Sequence, residues 1–136
     1  MTKKRFGFSK AEKLCSQRVI SSLFDDGESF FSYPFNIVWM VSTNRLEFPA
    51  RLAISVPRKS FKKAVHRNRI KRMIREAWRY NKHNLYSFLE QHNYQLVIML
   101  IYNGKNIPEF RTLMEDMREM VSKFSLILPN SVNRTD

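Results

Sequence analysis

The chain has 136 residues, 24 Lys and Arg against 12 Asp and Glu, and a net charge of +12. That length suits one domain with a modest core. With 43% hydrophobic residues, three Gly and five Pro, it is not a low-complexity chain. The charge points to a polyanionic partner, nucleic acid before an anionic membrane. The longest apolar run, Leu96–Tyr102, is too short to span a bilayer, so no membrane role is expected. A single Cys15 excludes an internal disulfide, and no apolar signal core follows the basic residues 1–5, so a cytoplasmic location is expected.

Residues 9–24 read as the first helix, because Leu14, Val19, Ile20, Leu23 and Phe24 recur at helical spacing. Asp25-Asp26-Gly27 ends it, with Gly27 expected as a left-handed cap. Phe35–Val41 alternates and is rich in β-branched and aromatic residues, so it reads as a strand. Residues 42–49 form a turn region, and residues 51–56 a second strand closed by Pro57. Residues 62–80 read as a long helix with Ser60 as its cap, and residues 81–92 as a separate short helical segment. Residues 95–102 form a strand buried on both faces, since the apolar run is nearly continuous. A turn at Asn103-Gly104 leads to a last amphipathic helix over 108–124 with Phe110, Leu113, Met114, Met117 and Val121 on one side. The order predicts one α+β two-layer domain over residues 1–128, followed by a disordered tail over 129–136.

Charge concentrates in one place: residues 58–79 carry ten basic residues and one acid. On the helix, Ile70, Met73, Ile74, Ala77 and Trp78 share one side. Asn68, Lys71, Arg72, Arg75 and Arg79 lie roughly opposite, with Arg67 and Arg69 nearer the borders. Such a cationic face repels itself, and only Glu76 offers a local counter-charge. The plain alternative is a solvated basic face. Against it, Arg dominates over Lys, and its planar fork suits phosphate and base stacking. Asn68, neutral among arginines, can donate to phosphate or read a base edge.

The segments Ser55-Val56-Pro57-Arg58-Lys59, Lys63-Ala64-Val65-His66-Arg67-Asn68-Arg69-Ile70-Lys71-Arg72 and Ile74-Arg75-Glu76 resemble the signature of the bacterial ribonuclease P protein component family. Arg67-Asn68-Arg69 matches that family's named motif. The resemblance extends more weakly over residues 6–124, with departures at Ala53, where Gly is frequent, and Pro57, where Ser is common. Ile20 and Val38 stand where many members carry aromatics, which would weaken base stacking.

The resemblance implies a fold like the second domain of a small-subunit ribosomal protein, with a left-handed βαβ crossover where the general rule is right-handed. It implies a ribonucleoprotein that removes the 5′ leader of precursor tRNA, its catalytic centre in the RNA subunit. The protein would bind that RNA through Arg58, Lys59, Lys63, Arg67, Asn68 and Arg69, continuing through Lys71, Arg72, Arg75 and Arg79. The single-stranded leader would lie in a cleft formed by Ile20, Phe24, Asn36, Val38 and Lys71. For Ile20 and Phe24, core packing competes with the cleft for the one apolar face of the helix. Magnesium is expected for the RNA-based reaction, with no cofactor held by the protein and no obligate protein partner.

Neither a catalytic nor a metal site is expected in the chain itself. Metal nucleases need clustered carboxylates. Asp25-Asp26 read as a helix terminus, and Glu115, Asp116 and Glu119 as a solvated helix face near Arg111 and Arg118. His66, His83 and His92 lack ligand spacing, and nothing near Cys15 resembles an activating base. Two rivals remain: a ribosomal-type structural RNA-binding protein of the same fold, and a DNA-binding module. The second is disfavoured because the basic residues continue along the helix and no dimer seam is visible.

Overall fold

The computed structural model describes residues 7–132, with side chains described as far as Leu128. A short 3₁₀ turn, Lys10–Glu12, precedes helix α1 (Gln17–Asp26), strands β1 (Glu28–Ser32), β2 (Phe35–Val41) and β3 (Ala50–Ser55), helix α2 (Ala64–Gln91), strand β4 (Leu96–Tyr102) and helix α3 (Phe110–Val132). The strands form one mixed sheet in the order β1-β2-β4-β3. β1 and β4 run antiparallel to β2, and β3 runs parallel to β4, which makes β3–α2–β4 the crossover.

β4 sits inside the sheet and is buried on both faces, as its unbroken apolar run predicts. Ile98 and Leu100 join Phe35, Ile37, Trp39 and Leu52 in the main core beneath α2 and α3. Val97 and Met99 join Leu14 and Leu23 in a second cluster on the opposite face, with Val19, Ile20, Val38 and Met40 packed around it. The α+β body therefore carries α2 and α3 on one face of the sheet and the shorter α1 on the other.

Several local expectations change. The first helix is divided, because the Leu14 amide donates to the Leu52 carbonyl at 2.9 Å and Lys13 bridges to Leu52 along the edge of β3. That edge pairing takes the backbone out of helical geometry, and Ser16 restarts the helix by accepting from the Val19 amide. Gly27 is no left-handed cap: its φ of −73° and ψ of 163° are extended. Its requirement is space, since a Cβ there would stand 2.5 Å from the Leu23 carbonyl oxygen and 3.1 Å from that of Trp39. β1 was hidden because Glu28–Ser32 shows little alternation; its register against β2 supplies the pattern.

α2 runs unbroken through the segment expected as a separate helix, about 42 Å in all. Tertiary packing decides this: Leu85, Tyr86 and Leu89 continue the buried side begun by Ile70 and Ile74. Lys63, not Ser60, occupies its N-cap, without a side-chain hydrogen bond. α3 begins at Phe110, and its helical backbone reaches Val132, past the boundary expected at Phe124 and into the expected tail. Residues 133–136 and the basic residues 1–5 lie outside the described residues.

Candidate nucleic-acid interface

α2 places its charged residues by helical phase. Asn68, Arg72, Arg75 and Arg79 fall within about 60° of one another, opposite the buried Ile70, Ile74 and Ala77. Asn68, Arg69, Arg72 and Arg75 are exposed, and among the described residues none of them makes an ion pair or a side-chain hydrogen bond. The Asn68 amide is thus not spent on capping the helix. Lys71 is partly exposed on the border of this face.

Two arginines of the expected set have intramolecular duties. Arg67 donates from Nη1 to the carbonyls of Phe61 and Lys62, at 2.8 and 2.9 Å. This fastens the loop after β3 to the first turns of α2, replacing the missing N-cap. Arg79 is bound by the Glu76 carboxylate, 2.6 Å from Oε2, and lies 5.7 Å from the Tyr80 ring centroid. Its charge is therefore largely countered. Arg58, Lys59 and Lys63 are exposed around the turn that joins β3 to α2.

The expected cleft residues divide. Ile20 and Val38 are partly buried against the cluster under α1, so packing claims much of their surface. Phe24 is 58% exposed, which settles its competition between core and cleft in favour of the surface. Asn36 is partly exposed on the α1 face of β2, paired with Phe31 on one side and Ile101 on the other. Lys71 stands apart from these four, on a helix that packs against the other face of the sheet.

The sequence reading missed the companions of Asn36. Phe31, Asn36, Ile101 and Ser55 form one row across all four strands, because each is the register partner of the next. That row lies at the sheet end where β3 exits toward Arg58 and Lys59, so the row and the cationic turn share one end of the molecule. Only pairing could reveal this.

A buried ionic group was also missed. Glu12 and Lys82, each with a side chain 1% exposed, lie 2.5 Å apart, and Tyr86 donates to the same carboxylate at 2.6 Å. Lys82 also donates to the Gly7 carbonyl. Burial pushes the Glu12 carboxyl up, but hydrogen bonds from Lys82, Tyr86 and Ser9 outweigh it and hold the group below its ordinary value. Burial and the neighbouring Glu12 charge raise the Tyr86 phenol far out of titrating range. This group serves the fold: it clamps the segment before α1 onto α2.

Among the described residues, no three His, Cys, Asp or Glu side chains come together in a way that could hold a metal ion. No helix among them is long and apolar enough to cross a membrane.

A family model described as Ribonuclease P matches residues 8–125. The ribonuclease P protein component of Porphyromonas gingivalis is 31% identical over 131 residues, which is 96% of this chain and 96% of that one. That of Nitrosococcus oceani is 41% identical over 76 residues, 56% of this chain and 61% of its own. Among solved structures, the RNase P protein from Thermotoga maritima superposes with a TM-score of 0.64 at 26% identity, over 82% of this chain and 96% of that one. The Staphylococcus aureus RNase P protein superposes with a TM-score of 0.62 at 23% identity, over 85% and 96%, a likeness of fold.

Proposed function

Because the chain belongs to the ribonuclease P protein family, we propose that it holds the catalytic RNA of that ribonucleoprotein on α2 and receives the unpaired 5′ leader of precursor tRNA beside α1. The observation that carries this is the face of Asn68, Arg69, Arg72 and Arg75, exposed and with no side-chain hydrogen bond or ion pair among the described residues. Self-repelling arginines on one helix face are tolerable when an anion neutralises them, and a folded RNA supplies closely spaced phosphates.

The leader is the part of the substrate that suits the α1 side. The sheet row with Asn36 mixes polar and apolar side chains, is partly exposed, and leads at its β3 end toward the cations Arg58 and Lys59. Unpaired nucleotides can lay a base against such a floor, whereas a closed acceptor stem is too wide. The division of labour then follows. The RNA carries the catalytic centre and its magnesium, and the protein supplies positive charge that lowers the magnesium needed to fold the RNA and hold the substrate.

Reconstitution tests this. The chain is added to a ribonuclease P RNA, and precursor tRNA cleavage is followed at low magnesium. Cleavage at the mature 5′ end that requires the protein at low magnesium, and less so at high magnesium, is the expected result. A protein that binds the RNA without changing cleavage would instead be a structural RNA binder.

A further inference from the structure

Two aromatic side chains at the β1 end of the Asn36 row have no part in the core. Phe31 is 49% exposed and Tyr33 is 65% exposed, and their rings meet edge to face at 6.2 Å. Strand alternation sends Phe30 to the core, where it packs on Phe124 at 5.2 Å, and sends Phe31 to the α1 face. A polar side chain would satisfy the strand at position 31 equally well, and exposing two adjacent large rings is unfavourable unless something covers them.

The surroundings say what covers them. α1 rests mainly on Val38, Met40, Val97 and Met99, the neighbouring rows; of the Phe31–Asn36–Ile101–Ser55 row, Ile101 packs against the same cluster, Asn36 and Ser55 stay partly exposed, and Phe31 is exposed. The turn carrying Tyr33 is held in place: the Asn103 amide donates to the Pro34 carbonyl at 2.6 Å. The segment after β4 that supplies Asn103 also carries the exposed Lys105. The row thus begins at Phe31, with Tyr33 against it, and ends three strand spacings or about 14 Å away at Ser55, from which the chain continues to the exposed Arg58 and Lys59. Rings beside cations suit unpaired nucleotides, since every base has a face to stack and every phosphate a charge to neutralise.

We infer that Phe31 and Tyr33 form a stacking platform for unpaired leader nucleotides farther from the cleavage site than those held beside α1; this rests on the leader-binding reading above. The platform is indifferent to base identity, because it offers ring faces and no fixed pattern of donors and acceptors at a base edge.

The test uses holoenzyme reconstituted with ribonuclease P RNA and precursor tRNAs whose leaders lengthen one nucleotide at a time. Each affinity is expressed relative to the same holoenzyme's affinity for leaderless tRNA. With the wild-type chain the ratio rises and keeps rising as the leader reaches the platform. With Phe31→Ala plus Tyr33→Ala it follows the wild type for short leaders and then levels off, losing about fivefold for each ring. Phe31→Trp restores the rise. If the wild-type ratio rises and the double variant tracks it at every length, the platform is wrong while leader binding stands. If the wild-type ratio is flat, the leader reading itself fails and the platform with it. Both rings are exposed, and an unchanged melting temperature of the variants confirms that the difference is not one of folding.

Discussion

Arg67 and Arg69 flank the same asparagine and do different work. Arg67 holds two loop carbonyls, so Arg67→Ala should lower stability by about 1.5–3 kcal/mol, the range for hydrogen bonds from a charged donor. Arg69, Arg72 and Arg75 make no ion pair or side-chain hydrogen bond among the described residues. Their alanine variants should leave the melting temperature nearly unchanged while weakening RNA binding. Removing one arginine from one phosphate should flatten the log–log salt dependence by about 0.7 to 0.9. Binding measured across a salt series, with thermal unfolding alongside, checks both halves; an unchanged slope in all three variants would mean a merely solvated face. Asn68 gives the contrasting case. It is exposed, uncharged and makes no side-chain hydrogen bond among the described residues, so Asn68→Ala should reduce cleavage or precursor affinity with little change of slope. A fall in melting temperature alone would assign it a structural role.

At the level of elements, α1 and the segment before it depend on one clasp and one glycine. Glu12 joins Lys82 and Tyr86 below the surface, and removing one partner of a buried pair leaves the other uncompensated. Glu12→Ala should therefore cost about 3–5 kcal/mol in denaturant unfolding. The sign of the pH effect follows from the direction of the shift. The folded carboxyl lies below its ordinary value of 4.5, so its contribution is complete above that value and is lost as pH falls through the folded one. Acid unfolding curves should show this loss in the wild type and its absence in Glu12→Gln. Gly27→Ala places a methyl against the Leu23 carbonyl and should cost about 1–3 kcal/mol by displacing α1 from β2. Circular dichroism melts measure that directly, and a neutral result would show that the α1–β1 junction yields easily.

For the whole molecule, the proposed function rests on the distribution of parts. α2 carries arginines outward from one face of the sheet, while α1 and the Asn36 row occupy the other. The two meet where β3 turns into α2 through Arg58, Lys59 and Lys63. Under the proposed function, one body would touch a folded RNA and a flexible single strand together. Well-washed protein free of RNA should not cut precursor tRNA, since among the described residues no carboxylates or histidines gather to hold a metal. Specific cleavage by such a preparation would overturn the assignment of chemistry to the RNA.

The family and the charged face were legible in the sequence because both are local. Ala64 to Glu76 is a contiguous run, and the helical period alone sorts Ile70, Ile74 and Ala77 from Asn68, Arg72 and Arg75. β4 declared its double burial through an unbroken apolar stretch, for the same reason. What depends on distant partners was not legible. The break in the first helix follows from a hydrogen bond to Leu52, the need for Gly27 from the carbonyls of Leu23 and Trp39, and the burial of Glu12 from Lys82, 70 residues away. The division of Ile20 from Phe24 was likewise decided by how α1 lies on the sheet. The row from Phe31 to Ser55 exists only through strand register, which places side by side residues that the chain keeps far apart.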